Sequence, residues 1–151
     1  QIIQGNVHDM GAAMQGGIGG HAGLFSNAND VAKIMQMYLQ RGSYGGERYL
    51  KPETIDKFNH QYYAEHQVRK GVGFDKPQIK ESEKATCGCV SSQSFGHSGF
   101  TGTYTWADPE SGIVYVFLSN RTYPDSNESN KLSKENIREN IQKVIYESII
   151  H

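Results

Sequence analysis

The sequence predicts an α+β fold: an antiparallel sheet of at least three strands, packed by a carboxy-terminal helix, with additional helices ahead of it. Three observations carry that prediction. An alternating stretch, Thr101 to Asp108, is joined by turn residues to an apolar run, Ile113 to Leu118. After Ser133 a helical apolar stripe closes the chain, and a second such stripe lies upstream between Val31 and Leu39.

Taken in order, residues 5–23 are dense in glycine, and Gly16-Gly17-Ile18-Gly19-Gly20-His21-Ala22-Gly23 is too flexible to continue a helix. This stretch reads as a loop of tight turns. Ser26 or Asn27 then caps a helix in which Val31, Ile34, Met35, Tyr38 and Leu39 recur on one stripe, with Gly42 as its C′ stop. Lys51-Pro52-Glu53 opens a second, shorter helix, because proline at the first turn loses no hydrogen bond and Glu53 meets the positive helix end.

From Asn59 to Ser94 the pattern weakens. Gly71-Val72-Gly73-Phe74 reads as a short strand, and the polar Lys76–Ser92 stretch as a long surface loop. The strand that follows carries Ser94-Phe95-Gly96-His97-Ser98-Gly99. Tyr104 and Trp106 then alternate with Thr103, Thr105 and Ala107, Asp108-Pro109-Glu110-Ser111-Gly112 makes the turn, and Ile113–Leu118 is apolar on both faces, as a central strand is. A helix capped near Ser133 carries Leu132, Ile137, Ile141, Val144, Ile145 and Ile149 on the face expected to meet the sheet. The expected organisation is one unit over residues 1–151, with a loop and helical region over 1–92 and the hairpin and closing helix over 93–151.

Composition excludes several classes. Fifteen basic against sixteen acidic residues give a net charge of −1, with no run of either sign to steer nucleic acid. The apolar run at 113–118 falls far short of the ~20 residues that a membrane-spanning helix needs, and the amino terminus lacks the pattern of a signal peptide. Cys87 and Cys89, one glycine apart, are strained as a disulfide and incomplete as a zinc site, so they read as incidental loop residues.

The residue pattern with chemistry in it is Phe95-Gly96-His97-Ser98-Gly99-Phe100-Thr101-Gly102, a titratable ring and a hydroxyl on a strand entering a hairpin, among glycines that permit close approach of a ligand. Gly96-His97-Ser98-Gly99 is one residue short of a G-x-S-x-G nucleophile elbow and precedes a hairpin, which argues against an α/β-hydrolase. A metal set drawn from His8, Asp9, His21 and His97 lacks helical ligand spacing, and neither metal nor cofactor is expected.

His97-Ser98-Gly99, the Trp106 strand, Val114–Ser119 and the helix from Ser133 resemble the succession in the class C β-lactamase, penicillin-binding-protein and esterase superfamily, where a Lys-Thr-Gly or His-x-Gly box lines the substrate cleft. Gly5-Asn6-Val7-His8-Asp9 and Gly19-Gly20-His21-Ala22-Gly23-Leu24-Phe25-Ser26 are similar to a stretch upstream of it in many members. The resemblance implies the carboxy-terminal part of a serine β-lactamase/transpeptidase-like fold. His97 stands in for the box lysine, the Phe100 N–H forms half of an oxyanion hole, and Ser98 and Gly99 bind a small-molecule or peptidoglycan-like substrate.

The family's Ser-x-x-Lys nucleophile is absent, since no serine in the chain has lysine three positions later. The chain is therefore expected to be inactive alone, in a parent protein of the cell envelope or periplasm. The 113–118 strand is expected to leave an edge that pairs with the missing amino-terminal part or with a second copy. A non-catalytic binding module and a metal-dependent hydrolase are the alternative readings.

Overall fold

The structure, a computed structural model, describes residues 4–124 and 131–149. In chain order its elements are α1 (Met10–Met14), α2 (Ala28–Leu39), β1 (Ser43–Tyr44), β2 (Glu47–Arg48), α3 (Pro52–Asn59), β3 (Phe95–Ser98), β4 (Tyr104–Asp108), β5 (Ile113–Phe117), α4 (Lys131–Lys134) and α5 (Ile137–Glu147).

The expected sheet forms from β3, β4 and β5 in that order, antiparallel throughout, with His97 opposite Thr105 and Thr105 opposite Val116. Among the described residues β4, not the 113–118 strand, is central, and β5 lies at an edge, as expected of that strand without its amino-terminal neighbour. Its residues are apolar on both faces because α2 packs across β4 and β5 on one side while α5 lies on the other. Strand faces, not strand position, set that pattern.

The α2 side is an apolar core of Met35, Phe95 and Ala107, joined by Val31, Tyr38, Leu39, Phe74 and Val114. Asn27 caps α2, its side chain accepting from Asp30 N at 3.0 Å. Of the expected stripe only Ile34 turns outward. The helix end differs from expectation. Arg41, with φ 53°, takes the left-handed C′ position and Gly42 the next, so that Arg41 N–H donates to Tyr38 O and Gly42 N–H to Met37 O in a Schellman motif.

Three other segments depart from the expected layout. The glycine-dense loop contains α1, because Asp9 caps it by accepting from Ala12 N at 2.7 Å and two alanines favour the helix. Residues 43–48 form a two-stranded hairpin around Gly45-Gly46, both at positive φ as a type I′ turn requires. The Gly71–Phe74 segment is a turn closed by Gly71 N–H to Phe74 O, and the pairing expected of it falls to Asp75, which bridges to Gly96. The stretch after it is no mere surface loop, since Lys76, Thr86 and Ser94 within and beside it are buried.

The closing helix is divided: Ser133 lies inside α4, and Asn136, in the left-handed region, separates α4 from α5. The orientation of α5 is also corrected. It turns Glu139, Gln142 and Ile145 inward, against a second cluster of Tyr104, Trp106 and Tyr115, while Ile141 and Val144 face outward. Polar anchors decide this orientation. Tyr146 Oη donates to Asp108 Oδ2 at 2.7 Å, Tyr115 Oη to Arg138 O at 3.3 Å, and Cys87 N–H to Gln142 Oε1 at 3.0 Å.

Candidate active site

β3 passes from the core to the surface within four residues: Phe95 and Gly96 are buried, His97 and Ser98 exposed. On its outer side Asp75 pairs with Gly96 in both directions, N–H to O at 2.8 and 3.0 Å. Past that point no strand among the described residues covers the edge at His97 and Ser98. Gly96 has a packing reason of its own. A Cβ there would run into the Thr105 carbonyl and the Trp106 ring, so this glycine makes room for a tryptophan across the strands, not for a ligand.

His97 Nδ1 lies 2.9 Å from Ser98 O. With the proton on Nδ1 donated to that carbonyl, Nε2 is left as an acceptor, and it has no partner among the described residues. The loop beyond β3 is closed by Gly99 N–H to Thr103 O at 2.8 Å and Gly102 N–H to Gly99 O at 2.9 Å; the Phe100 N–H between them is in neither bond. The Phe100 ring is 66% exposed; the His8 ring stacks on it at 5.6 Å and the Arg121 guanidinium lies over it at 4.7 Å.

The alternation of a strand sends successive side chains to opposite faces, so Ser98 does not share a face with His97. Ser98 instead borders a cavity of about 160 Å³ on the α5 side, lined also by Arg69, Asp75, Tyr104, Trp106 and Glu139. Asp75 is buried and ion-paired, with Oδ2 3.0 Å from Arg69 and Oδ1 2.5 Å from Lys70. Burial pushes its carboxyl up, but the Lys70 hydrogen bond and the charges of Arg69 and Lys70 hold it below the usual range. Neighbouring Lys76, with Nζ 2.9 Å from Gln93 O, is lowered to about 8 by burial, against the opposing pull of Asp108.

Upstream, His21 Nε2 lies 2.9 Å from Asp9 Oδ1, forming a pair at the base of α1. Among the described residues no group of three or more His, Cys, Asp or Glu is placed to hold a metal. The reading of Cys87 and Cys89 is corrected: they are joined as a disulfide, with Cα atoms 5.2 Å apart. Gly88, at φ 73°, folds the chain back between them.

Sequence reasoning points to His97 and the Phe100 loop as candidates, but not to the side chains placed beside them. Asp75, Arg69 and Arg121 come from distant parts of the chain, no short spacing announces them, and nothing in the sequence stacks the His8 ring on Phe100.

Comparison with known proteins bears on the family of the chain. A family model described as β-lactamase matches residues 4–137. A candidate D-alanyl-D-alanine carboxypeptidase of Escherichia coli K12 is 37% identical over 123 residues, 80% of this chain and 28% of that protein. Its counterpart in Salmonella agona is 36% identical over the same shares. The chain spans just over a quarter of the length of these relatives. Among solved structures, a penicillin-binding protein homologue from Caulobacter crescentus is 21% identical, with a TM-score of 0.47 over 60% of this chain and 24% of that one. A candidate β-lactamase from Bacteroides dorei is 20% identical, with a TM-score of 0.45 over 87% and 49%. Matched over most of its length, the chain belongs to the β-lactamase family.

Proposed function

We propose that this chain supplies the carboxy-terminal wall of a serine hydrolase site, of the D-alanyl-D-alanine carboxypeptidase kind, that cleaves an amide or ester bond. The attacking serine stands on polypeptide outside this sequence. One observation carries the reading: at the uncovered end of an edge strand, an imidazole with an uncommitted Nε2 stands three residues before an N–H that the loop's own bonds leave free. In this role His97 binds or moves a proton at the reacting group. The Phe100 N–H meets the charge that develops on the carbonyl oxygen, typically worth ~3 kcal/mol for one donor. Gly99 and the backbone of Ser98, on the uncovered edge, bind the substrate backbone, which is peptidoglycan-like.

Two surfaces favour further polypeptide against this chain. β5 has an unpaired outer edge among the described residues, and Ile141 and Val144 of α5 face outward, 38% and 64% exposed. The preferred neighbour is the amino-terminal part of the same protein; light scattering that finds a strand-paired homodimer instead favours a second copy.

The reading is tested by hydrolysis. A chromogenic β-lactam and a p-nitrophenyl ester are offered to this chain and to a longer polypeptide carrying its natural upstream sequence. Turnover is expected only from the longer protein, with a loss of at least ~100-fold on His97→Ala, the scale of one general acid–base group. Equal turnover by this chain alone overturns it.

A further inference from the structure

We propose that Cys87 and Cys89 form a thiol–disulfide exchange site, which passes electrons to and from an external dithiol. The site lies on the α5 side of the molecule and does not depend on the hydrolase reading above.

The bond closes a loop with only Gly88 inside it. A cross-link stabilises a fold chiefly by restricting the unfolded chain, and by less the shorter the loop, so this is the weakest kind of staple. The turn around it is held by bonds in which sulfur takes no part. Cys87 N–H donates to Gln142 Oε1 at 3.0 Å and Gly88 N–H to Thr86 Oγ1 at 3.2 Å, while Thr86 N–H and Oγ1 both donate to Gln78 Oε1, at 3.1 and 2.7 Å. Tyr104 Oη adds a bond to Ala85 O at 3.2 Å. Gly88, left-handed at φ 73°, brings the two Cα atoms within 5.2 Å through the backbone itself. With these contacts in place the reduced pair keeps its sulfurs side by side, and closing the bond again is an intramolecular step.

The two cysteines differ in a way that assigns their roles. Cys89 is exposed and Cys87 half-buried, so an incoming sulfur meets Cys89 first. Cys87 is equipped to leave. The Cys89 N–H donates to its Sγ at 3.3 Å, and a cavity of about 270 Å³ beside it is lined by Lys84 and Lys143, with Glu139 as the acid. Glu147, 3.7 Å from Lys143, stands outside that lining. A backbone donor and nearby ammonium groups favour a thiolate, and exchange runs faster from a better leaving sulfur.

The chemistry balances without any further reagent. A thiolate of the external dithiol attacks Cys89 Sγ; the S–S bond breaks, and its electron pair departs on Cys87 Sγ, which takes a proton from water. The donor's second thiol loses its proton and attacks the donor's own sulfur in the mixed disulfide, so that Cys89 leaves as a thiolate and is protonated in turn. Two electrons have passed: the Cys87–Cys89 bond is reduced to two thiols, and the donor is oxidised to a disulfide. Run in reverse, the pair oxidises a dithiol.

The test equilibrates the whole 151-residue chain in glutathione buffers, from wholly oxidised to wholly reduced. Each sample is quenched in acid and alkylated, and the peptide carrying residues 87–89 is weighed by mass spectrometry, with circular dichroism recorded before the quench. The pair is expected to pass from disulfide to dithiol inside this range, going from about one-tenth to nine-tenths reduced over a roughly hundredfold change in the squared glutathione to glutathione-disulfide ratio, with the dichroism unchanged. Early quenching is expected to find glutathione on Cys89. Dithiothreitol and a reduced protein of the Cys-x-x-Cys type, at equal thiol concentration, distinguish a small donor from a protein one by which reduces the pair faster. A disulfide that persists at every ratio, or yields only as the dichroism is lost, is a structural staple and overturns the proposal. Cysteines that stay as thiols in oxidised glutathione overturn it equally, and glutathione found first on Cys87 overturns the assigned order of attack. All of these readings are made on the wild-type chain, so none depends on a variant that fails to fold.

Discussion

On its α2 side the sheet of β3, β4 and β5 packs as an ordinary apolar core, whereas on its α5 side it packs through polar groups. Under α2, Met35, Phe95 and Ala107 meet with little but carbon between them. Under α5, Tyr104 and Trp106 stack 5.6 Å apart and 8° from parallel, Gln142 and Glu139 are buried, and Trp106 Nε1, Arg138 Nε, Glu139 Oε2 and Gln142 Nε2 are buried without hydrogen-bond partners among the described residues. The apolar stripe of α2 is the stripe it buries; that of α5 is divided, with Ile145 turned inward and Ile141 and Val144 outward. A helix that buries Glu139 and Gln142 is held by specific anchors. Here these are Tyr146 to Asp108 and Tyr115 to the Arg138 carbonyl.

The comparison is broken most forcefully at the apolar core. Phe95→Ala is expected to cost about 3–5 kcal/mol in urea or guanidinium unfolding, since the ring is 2% exposed and its neighbours cannot close the void. A cost under 1 kcal/mol contradicts the packing described.

Next is the anchor of the polar side. Asp108 is 1% exposed and accepts from Ser91 Oγ and N, Tyr146 Oη and Glu110 N. Burial raises its carboxyl, yet these bonds hold it below the usual range. A depressed folded-state value adds stability above the unfolded value, near 4, and that stability is lost as the pH falls through the lower folded one. Asp108→Ala is expected to cost about 2–3 kcal/mol at pH 7 and to weaken the acid dependence of stability below pH 4. Acid unfolding curves that superimpose for the two proteins count against it.

Lys76 gives the opposite sign. Its ammonium is lowered to about 8 in the fold, below an ordinary value of 10.5, so between those values the unfolded chain holds more protons and stability rises with pH. The expected gain is roughly 2 kcal/mol between pH 8 and 10, before tyrosine ionisation opposes it, and Lys76→Met should flatten that rise. The smallest effect is expected at Val144, where Lys in place of the outward valine should change the stability of this chain by no more than about 0.5 kcal/mol. A loss above 2 kcal/mol shows that the residue is covered after all.

The same contrast explains what could be read from the residues alone. α2, α3 and the β4–β5 hairpin announce themselves through caps, proline, period and turn chemistry that act within a few residues. The inward face of α5 does not, because Gln142 is drawn in by the Cys87 N–H, 55 positions away, and Tyr146 by Asp108, 38 away. A count of apolar residues misses such bonds. In α1 the density of glycine hides one good cap, Asp9, and in the Cys87–Cys89 pair the short spacing argues against a bond that Gly88 makes reachable. At the candidate site, His97 and the Phe100 loop stand together in the sequence, while Asp75 and Arg121 join them only through the pairing of β3 and the exit of β5.

The most direct test of the account is to find which serine becomes acylated. A longer polypeptide containing this sequence is treated with a fluorescent penicillin or a fluorophosphonate, digested, and the adduct located by mass spectrometry. The account places the label on a serine upstream of Gln1, with labelling slowed by His97→Ala. An adduct on any serine within residues 1–151 contradicts it.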